Sequence, residues 1–95
     1  MKVCAVTVTY GNRFHLLEKL LNALQEIAVS EVVIVSNGSS QESSEALKKY
    51  LESYNKKFYL LELPNNTGSA GGFRLGIETA LKGECDFIWI LDDDN

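Results

Sequence analysis

Apolar residues along the chain form two kinds of pattern, which are short continuous runs and longer stretches with a three- to four-residue period. The continuous runs are Val3 to Thr9, Glu31 to Ser36, Phe58 to Leu63 and Phe87 to Leu91. Runs of this length, rich in β-branched and aromatic residues, predict β-strands. For the first, second and fourth runs we expect strands buried on both faces of a parallel sheet, because their apolar character is nearly continuous.

The periodic stretches lie between these runs and predict three amphipathic helices. The first helix carries Phe14, Leu17, Leu20, Leu21, Leu24 and Ile27 on one face. The second is expected from about Glu42 to Tyr54, and Ser40 with Ser43 or Ser44 can cap its first turn. The third has its apolar positions at Phe73, Ile77, Ala80 and Leu81 and ends at Gly83.

Strands and helices therefore alternate with short connections, which implies parallel strands joined by right-handed crossovers. The predicted fold is α/β, a three-layer, Rossmann-like sheet of four parallel strands with helices on both faces. Ligands of such sheets bind beyond the carboxyl ends of the strands. Polar and glycine-rich residues follow all four predicted strands, so we expect the functional site at that edge.

Composition limits what the chain can bind and where it can reside. Its 95 residues are enough for one domain, and a net charge of −4 argues against nonspecific binding to nucleic acid or anionic membranes. The N-terminus lacks the features of a signal peptide, and no apolar run approaches the roughly 20 residues that span a bilayer. We expect a cytoplasmic domain, with membrane association left open for a longer chain. Cys4 and Cys85 are interpreted as buried reduced thiols rather than a disulfide.

Three carboxylates, Asp92, Asp93 and Asp94, directly follow the fourth strand. Two carboxylates about 4 Å apart repel by ~4 kcal/mol at an effective dielectric constant of 20, so a cluster held against a sheet favours a bound cation. The alternative is an acidic, solvated chain end. Because the other polar segments converge on the same edge of the sheet, the acidic-end interpretation is weakened.

The segment from Asn65 to Gly76 is the second candidate for chemistry. Its glycines let the backbone approach a ligand, and the helix N-terminus that follows favours phosphate. The segment is neither a P-loop nor a GxGxxG fingerprint, which disfavours an ATPase or a dinucleotide enzyme. The alternative is a tight turn with glycines for close packing. Arg74 could reach a diphosphate or be a solvated helix residue, and His15 is expected at the surface.

Four segments in order resemble the inverting glycosyltransferases of the GT-A fold, family 2. They are VTVTYGNR, EVVIVSNGSS, LPNNTGSAGGFRLGI and WILDDDN, and the similarity covers essentially the whole chain. The AGGF core is most similar to the rhamnosyl- and galactofuranosyltransferase branches, and DDD corresponds to the family's DxD element. The resemblance implies that residues 1–95 are the nucleotide-diphospho-sugar-binding half of a GT-A domain, truncated at DxD.

The resemblance also implies roles for individual positions. Thr9, Tyr10, Asn12 and Arg13 match the segment that lies against the nucleotide base. Ser36 and Asn37 match a position where the family usually has Asp, which accepts from uracil. Since Ser36 is a neutral partner, the base could be uracil, thymine or another pyrimidine.

The remaining implied positions concern the diphosphate and the metal. Asn66, Gly68, Gly71 and Gly72 match the loop around the diphosphate-sugar, with Arg74 nearby. Asp93 would face the ribose, while Asp94, with Asp92 as a second ligand, would bind Mg or Mn. Hard oxygen ligands suit both metals.

The expected function is transfer of a sugar from a UDP- or dTDP-sugar donor to an acceptor hydroxyl with inversion, in cell-wall or polysaccharide biosynthesis. The general base and the site for an acceptor glycan or lipid-linked saccharide are expected beyond residue 95, so the fragment alone should be inactive. A sugar-nucleotide nucleotidyltransferase and a noncatalytic nucleotide- or metal-binding regulatory module remain alternatives. Apolar surface exposed at the truncation could support a homodimer.

Overall fold

The computed structural model describes residues 1–94, so Asn95 of the WILDDDN segment lies outside the described residues. Strands and helices alternate in the predicted order. The strands are β1 (Val3–Gly11), β2 (Glu31–Ser39), β3 (Lys57–Leu63) and β4 (Phe87–Asp92). The helices are α1 (Phe14–Gln25), α2 (Gln41–Leu51) and α3 (Ser69–Lys82).

Three helix boundaries differ from the predicted ones. Helix α1 ends at Gln25, before Ile27, which is 40% exposed. Helix α3 begins at Ser69, a full turn before Phe73, because Gly71 and Gly72 belong to its first turns and carry no side chain that periodicity could detect. Helix α2 ends at Leu51, before Tyr54. Tyr54 still packs against the core, since its hydroxyl donates to the Leu21 carbonyl at 2.9 Å.

All strands are parallel, in the order β3-β2-β1-β4, which confirms the predicted α/β sheet. Helices α1 and α2 cover one face and α3 covers the other. The chain leaves β1 toward β2 through α1 and reaches β4 through α3, on opposite faces of the sheet. The strand order therefore reverses between β1 and β4, and the crevice at the carboxyl ends of these two strands is where such sheets bind ligands.

The two faces of the sheet carry different cores. On the α1 and α2 face, Ala5, Val32 and Ile34 pack against leucines of both helices. On the other face, α3 approaches the sheet closely because it presents glycine there. A Cβ on Gly76 would lie 2.5 Å from Val6 Cγ1, and one on Gly72 would lie 2.8 Å from Val8 Cγ1.

The prediction that β4 is buried on both faces is wrong. Within residues 1–94 it is an edge strand that pairs with β1 alone, and Phe87, Trp89 and Ile90 are 57%, 46% and 50% exposed. A continuous apolar run cannot distinguish an edge strand from a central one, because the pattern does not show which elements cover the strand. The exposed apolar surface that the sequence suggested is thus present, whereas dimerisation through it stays a prediction.

The prediction of two reduced thiols is also wrong, because Cys4 and Cys85 form a disulfide with their Cα atoms 6.0 Å apart. Pairing of β1 with β4 brings the start of β1 beside the residues that precede β4, although the cysteines are 81 positions apart. Sequence spacing gave no signal for this contact. Among residues 1–94, no helix is both long and apolar enough to cross a membrane.

Candidate functional site

A cleft of about 250 Å³ lies at the crevice between β1 and β4, beside the N-terminus of α3. It is lined by Val8, Tyr10, Arg13, Ser69, Phe73, Asp92, Asp93 and Asp94. The first three come from β1 and the start of α1, Ser69 and Phe73 from α3, and the carboxylates from the end of β4. Three of the four sequence segments that suggested chemistry therefore meet in one place.

Asp93 is the buried member of the carboxylate triplet, with 4% of its surface exposed. Arg13 donates to it from two nitrogens, Nε to Oδ2 and Nη2 to Oδ1, both at 2.8 Å. The hydroxyl of Thr9 donates to Oδ2 at 3.0 Å. A planar guanidinium matches both oxygens of a carboxylate, and the buried charge is therefore paired within the chain. The hydrogen bond and charge of Asp93 raise the pKa of Arg13 further above its ordinary value, so the guanidinium stays ionised.

Asp92 and Asp94 flank this buried pair and are exposed. Asp94 Oδ2 lies 3.8 Å from Arg13 Nη2, a weaker contact than the one that Asp93 makes. Asp92 and Asp94, beside a third carboxylate that is ion-paired with Arg13, form a set of hard oxygen donors. Such a set, with coordination positions left for water or phosphate oxygens, fits Mg or Mn.

Tyr10 covers Arg13 on the solvent side. The guanidinium carbon is 4.8 Å from the centre of the Tyr10 ring, a cation–π distance, and Tyr10 itself is 43% exposed. The ring therefore lines the cleft and is partly accessible. Asn12 has another role, since its Oδ1 accepts from the hydroxyl of Ser43 at 2.9 Å and so links the β1–α1 turn to α2.

Asn37, at the end of β2, is 1% exposed and organises the glycine-rich loop. Its Oδ1 accepts from the amide and the hydroxyl of Thr67, at 2.9 and 3.1 Å. Its Nδ2 donates to the Gly68 carbonyl at 2.9 Å and to Asn66 Oδ1 at 3.2 Å. Both polar atoms of the Asn37 side chain thus contact the loop, and these contacts position the loop on the sheet.

The loop leads directly into the N-terminus of α3. Gly68 precedes the helix with φ of +84°, and no side chain among residues 1–94 caps the free amides of the first turn. Ser69, Ala70 and Gly71 are exposed there. Gly72 is buried against Val8 instead, so its glycine serves close packing of α3 on β1.

Ser36 lies outside the cleft, in a second cavity of about 340 Å³ at the ends of β2 and β3. Its hydroxyl donates to Ser39 Oγ at 2.7 Å, and the residue is 3% exposed. Strand β1 stands between β2 and β4, so this cavity and the cleft are neighbours along the same edge of the sheet.

Two further positions suggested by the sequence contribute nothing to the cleft in this structure. The side chain of Arg74 is 83% exposed and pairs with Glu78 at 3.1 Å, as expected for a solvated helix residue. His15 is exposed, which confirms its predicted surface position. Conversely, sequence reasoning missed Ser69 and Phe73 as lining residues. Their position just after the Gly68 turn is the signal that could have identified them.

Comparison with known proteins agrees with this arrangement. The family model described as glycosyl transferase family 2 matches residues 4–95. Galactofuranosyltransferase GlfT1 of Mycolicibacterium smegmatis is 33% identical over 94 residues, which are 97% of this chain and 30% of GlfT1. The chain therefore spans about a third of the length of this curated relative.

Two crystal structures of S. aureus TarS have the same fold. TarS residues 1–349 align with a TM-score of 0.80 at 24% identity, over 99% of this chain and 28% of that one. A second TarS structure aligns with a TM-score of 0.78 at 25% identity, over 99% of this chain and 17% of that one. The sheet, the helices and the match along the whole described sequence lead to one conclusion: the chain belongs to glycosyl transferase family 2, with the GT-A architecture.

Proposed function

We propose that this chain is the donor-binding part of a glycosyltransferase that moves a sugar from a UDP- or dTDP-sugar to an acceptor hydroxyl with inversion. The observation that carries the proposal is the pair of exposed carboxylates, Asp92 and Asp94, in the β1–β4 crevice beside the uncapped start of α3. A nucleoside diphosphate needs both features, a cation for its charge and amide donors for its phosphate oxygens.

Asp94 and Asp92 would hold the Mg or Mn ion. Asp93 is already paired with Arg13, which leaves the two flanking carboxylates for metal coordination. When bound, the metal supplies Lewis-acid stabilisation of the departing nucleoside diphosphate. Within the chain itself, Arg13 and Thr9 keep the third carboxylate ordered beside the cleft.

The start of α3 would receive the diphosphate. The positive end of the helix dipole and the free amides at Ser69 and Ala70 favour negative charge. Gly71 is exposed beside them, whereas Gly72 holds the helix on the sheet. Asn37 and Asn66 contribute by ordering the loop.

The base would lie along the ends of β1 and β2, between Tyr10 and Ser36. Tyr10 offers an exposed aromatic ring for stacking, and the Ser36–Ser39 hydroxyls line the adjoining cavity. A hydroxyl pair can both donate and accept, which suits the neutral imide edge of uracil or thymine. This placement supports a pyrimidine donor without selecting one of the two.

The name of GlfT1 describes galactofuranosyl transfer, which supports a glycan acceptor and a role in polysaccharide biosynthesis for the protein proposed here. The general base and acceptor site are assigned to sequence beyond these 95 residues, because the chain spans only 30% of that relative. The 95-residue chain is accordingly expected to bind donor without transferring sugar.

Calorimetric titration with UDP, dTDP and ADP, each with and without Mn²⁺, tests the proposal. We expect Mn²⁺-dependent binding of UDP or dTDP that is stronger than binding of ADP. Asp94→Asn should weaken it, whereas Glu52→Gln, which removes an exposed carboxylate just after α2 and outside the cleft, should not. Equal, metal-independent binding of all three nucleotides would refute the donor site.

A further inference from the structure

We propose that Arg13 is a positioning residue that fixes the metal-binding carboxylates through Asp93. The inference rests on the proposed function of the cleft and adds a residue to it. Arg13 would not touch the metal. It would hold the middle carboxylate so that Asp92 and Asp94 stay in place on either side of it.

The backbone of Arg13 is anchored independently of its side chain. Arg13 is the residue immediately before α1, and its carbonyl accepts from the amides of Leu16 and Leu17 at 3.0 and 3.2 Å. The side chain, which is 26% exposed, then spans from the start of α1 to the end of β4. The Arg13 side chain therefore links Asp93, which follows β4, to the start of α1.

The contact with Asp93 has the geometry of a clamp. Two nitrogens of one planar group reach two oxygens of one carboxylate, both at 2.8 Å, and Thr9 adds a third bond to Oδ2. A carboxylate held at three points cannot rotate freely. Asp92 and Asp94 are its direct neighbours in the chain, so their backbone is fixed by the same contact.

A second explanation of Arg13 predicts the opposite result. Its charge lies 3.8 Å from Asp94, so by Coulomb's law alone it repels a cation bound there. If charge were its only effect, removing Arg13 would strengthen cation binding, and replacing it with Lys would change little. If it positions the triplet, both changes should weaken binding, because Lys keeps the charge but lacks the bidentate fork.

The experiment measures Mn²⁺ affinity of this chain by electron paramagnetic resonance, together with the thermal midpoint of each variant. We expect Arg13→Lys to weaken Mn²⁺ binding about 10-fold or more, the range seen when partners of metal ligands are removed. Arg13→Gln should weaken it further. The matched control is Arg74→Lys, an exposed arginine outside the cleft, which should leave the affinity unchanged.

Thr9→Val removes the hydroxyl hydrogen bond to Asp93 with little change in side-chain shape. This variant tests the proposal if the Arg13 variants do not fold. We expect a smaller, few-fold loss of affinity with a small decrease in the thermal midpoint, because Arg13 still pairs with Asp93. Unchanged affinity in Arg13→Lys or in Thr9→Val, or tighter binding in Arg13→Gln, would overturn the proposal.

Failure of the proposed function would look different. If the wild-type chain binds neither Mn²⁺ nor UDP, the donor site is refuted, and the clamp is judged from backbone amide resonances of residues 92–94 in metal-free protein. Broadened or shifted resonances in Arg13→Lys would support the clamp. Spectra identical to the wild type at these residues would refute it.

Discussion

The side chain of Asn37 accepts hydrogen bonds from both the amide and the hydroxyl of Thr67, at 2.9 and 3.1 Å. Asn37 lies near the end of β2, and its side chain is 1% exposed, yet its partners lie in an exposed loop 30 residues later. The contact explains how a glycine-rich loop can hold a defined shape. The buried side-chain amide of Asn37 holds the loop in this shape.

Replacing Asn37 should therefore affect stability and the loop together. Asn37→Ala removes the four hydrogen bonds that this buried side chain makes to the loop and should cost roughly 1–3 kcal/mol in the free energy of unfolding. Denaturant titration measures this, and the loop amides should exchange faster with solvent. Asn65→Ala, at an exposed neighbouring position, is the control. Loop amides that exchange at the wild-type rate in Asn37→Ala would contradict the assigned role.

Gly76 is expected to be intolerant of even a methyl group. Its Cβ would lie 2.5 Å from Val6 Cγ1, so Gly76→Ala should destabilise the fold by about 1–3 kcal/mol through overpacking. Gly71→Ala, at an exposed position of the same helix, should cost much less, because its Cβ would meet only the Thr67 side chain, at 3.0 Å, and alanine favours helices. The pair Gly76→Ala with Val6→Ala should recover part of the loss. Equal effects of the two single glycine variants would show that α3 does not need its close approach.

The Cys4–Cys85 disulfide should stabilise the chain substantially. Closing a loop of this length is worth about 4.5 kcal/mol in the chain-entropy model, and typical measured values are about 2–4 kcal/mol. Adding dithiothreitol should lower the unfolding free energy of the wild type by an amount in that range. A variant with both cysteines changed to alanine should show no response to the reductant. A wild-type midpoint that does not move on reduction would argue that the thiols are free in solution.

Glu31 should make stability depend on pH in the acid range. It is 3% exposed, and burial raises the pKa of Glu31, but hydrogen bonds from Lys2 and Lys57 outweigh this and place the pKa below its ordinary value. A lowered folded-state pKa means that the stabilisation is complete above the ordinary value of 4.5 and is lost as the pH falls through the folded value.

Unfolding free energies of the wild type and of Glu31→Gln, measured from pH 7 downward, check this prediction. The difference between them should shrink as the pH falls below 4.5. Lys57→Met, which removes one of the two ion-pair partners, should give an intermediate pH dependence. A difference that is constant with pH would mean that the two ion pairs contribute nothing.

The exposed β4 edge should promote self-association at high concentration. Phe87, Trp89 and Ile90 present apolar surface beside unpaired backbone groups, a combination that favours contact with a second chain. Trp89→Lys should reduce the apparent mass in light scattering. Ala23→Lys, at an exposed position of α1, is the control for the added charge. A wild-type chain that stays monomeric at high concentration would contradict the prediction.

Features that depend on local sequence were predictable, whereas features that depend on contacts between distant elements were not. Element type was predictable because it depends on local periodicity, and the four strands and three helices appear within a few residues of their expected positions. The position of the ligand edge was predictable because parallel strands all end on the same side. Burial of β4 was not, since it depends on which elements cover the sheet, and an apolar run carries no information about its neighbours.

The sequence alone determined the family, the order of strands and helices, and the convergence of polar residues at one edge of the sheet. Each of these follows from motifs or patterns within short, continuous segments. The state of the cysteines and the partner of each aspartate do not. Cys4 meets Cys85 from 81 positions away, and Arg13 meets Asp93 from 80. Only the pairing of β1 with β4 brings these side chains together. The Asp triplet is consequently not three equivalent carboxylates, because the fold pairs the middle one with Arg13 and leaves the two flanking ones exposed.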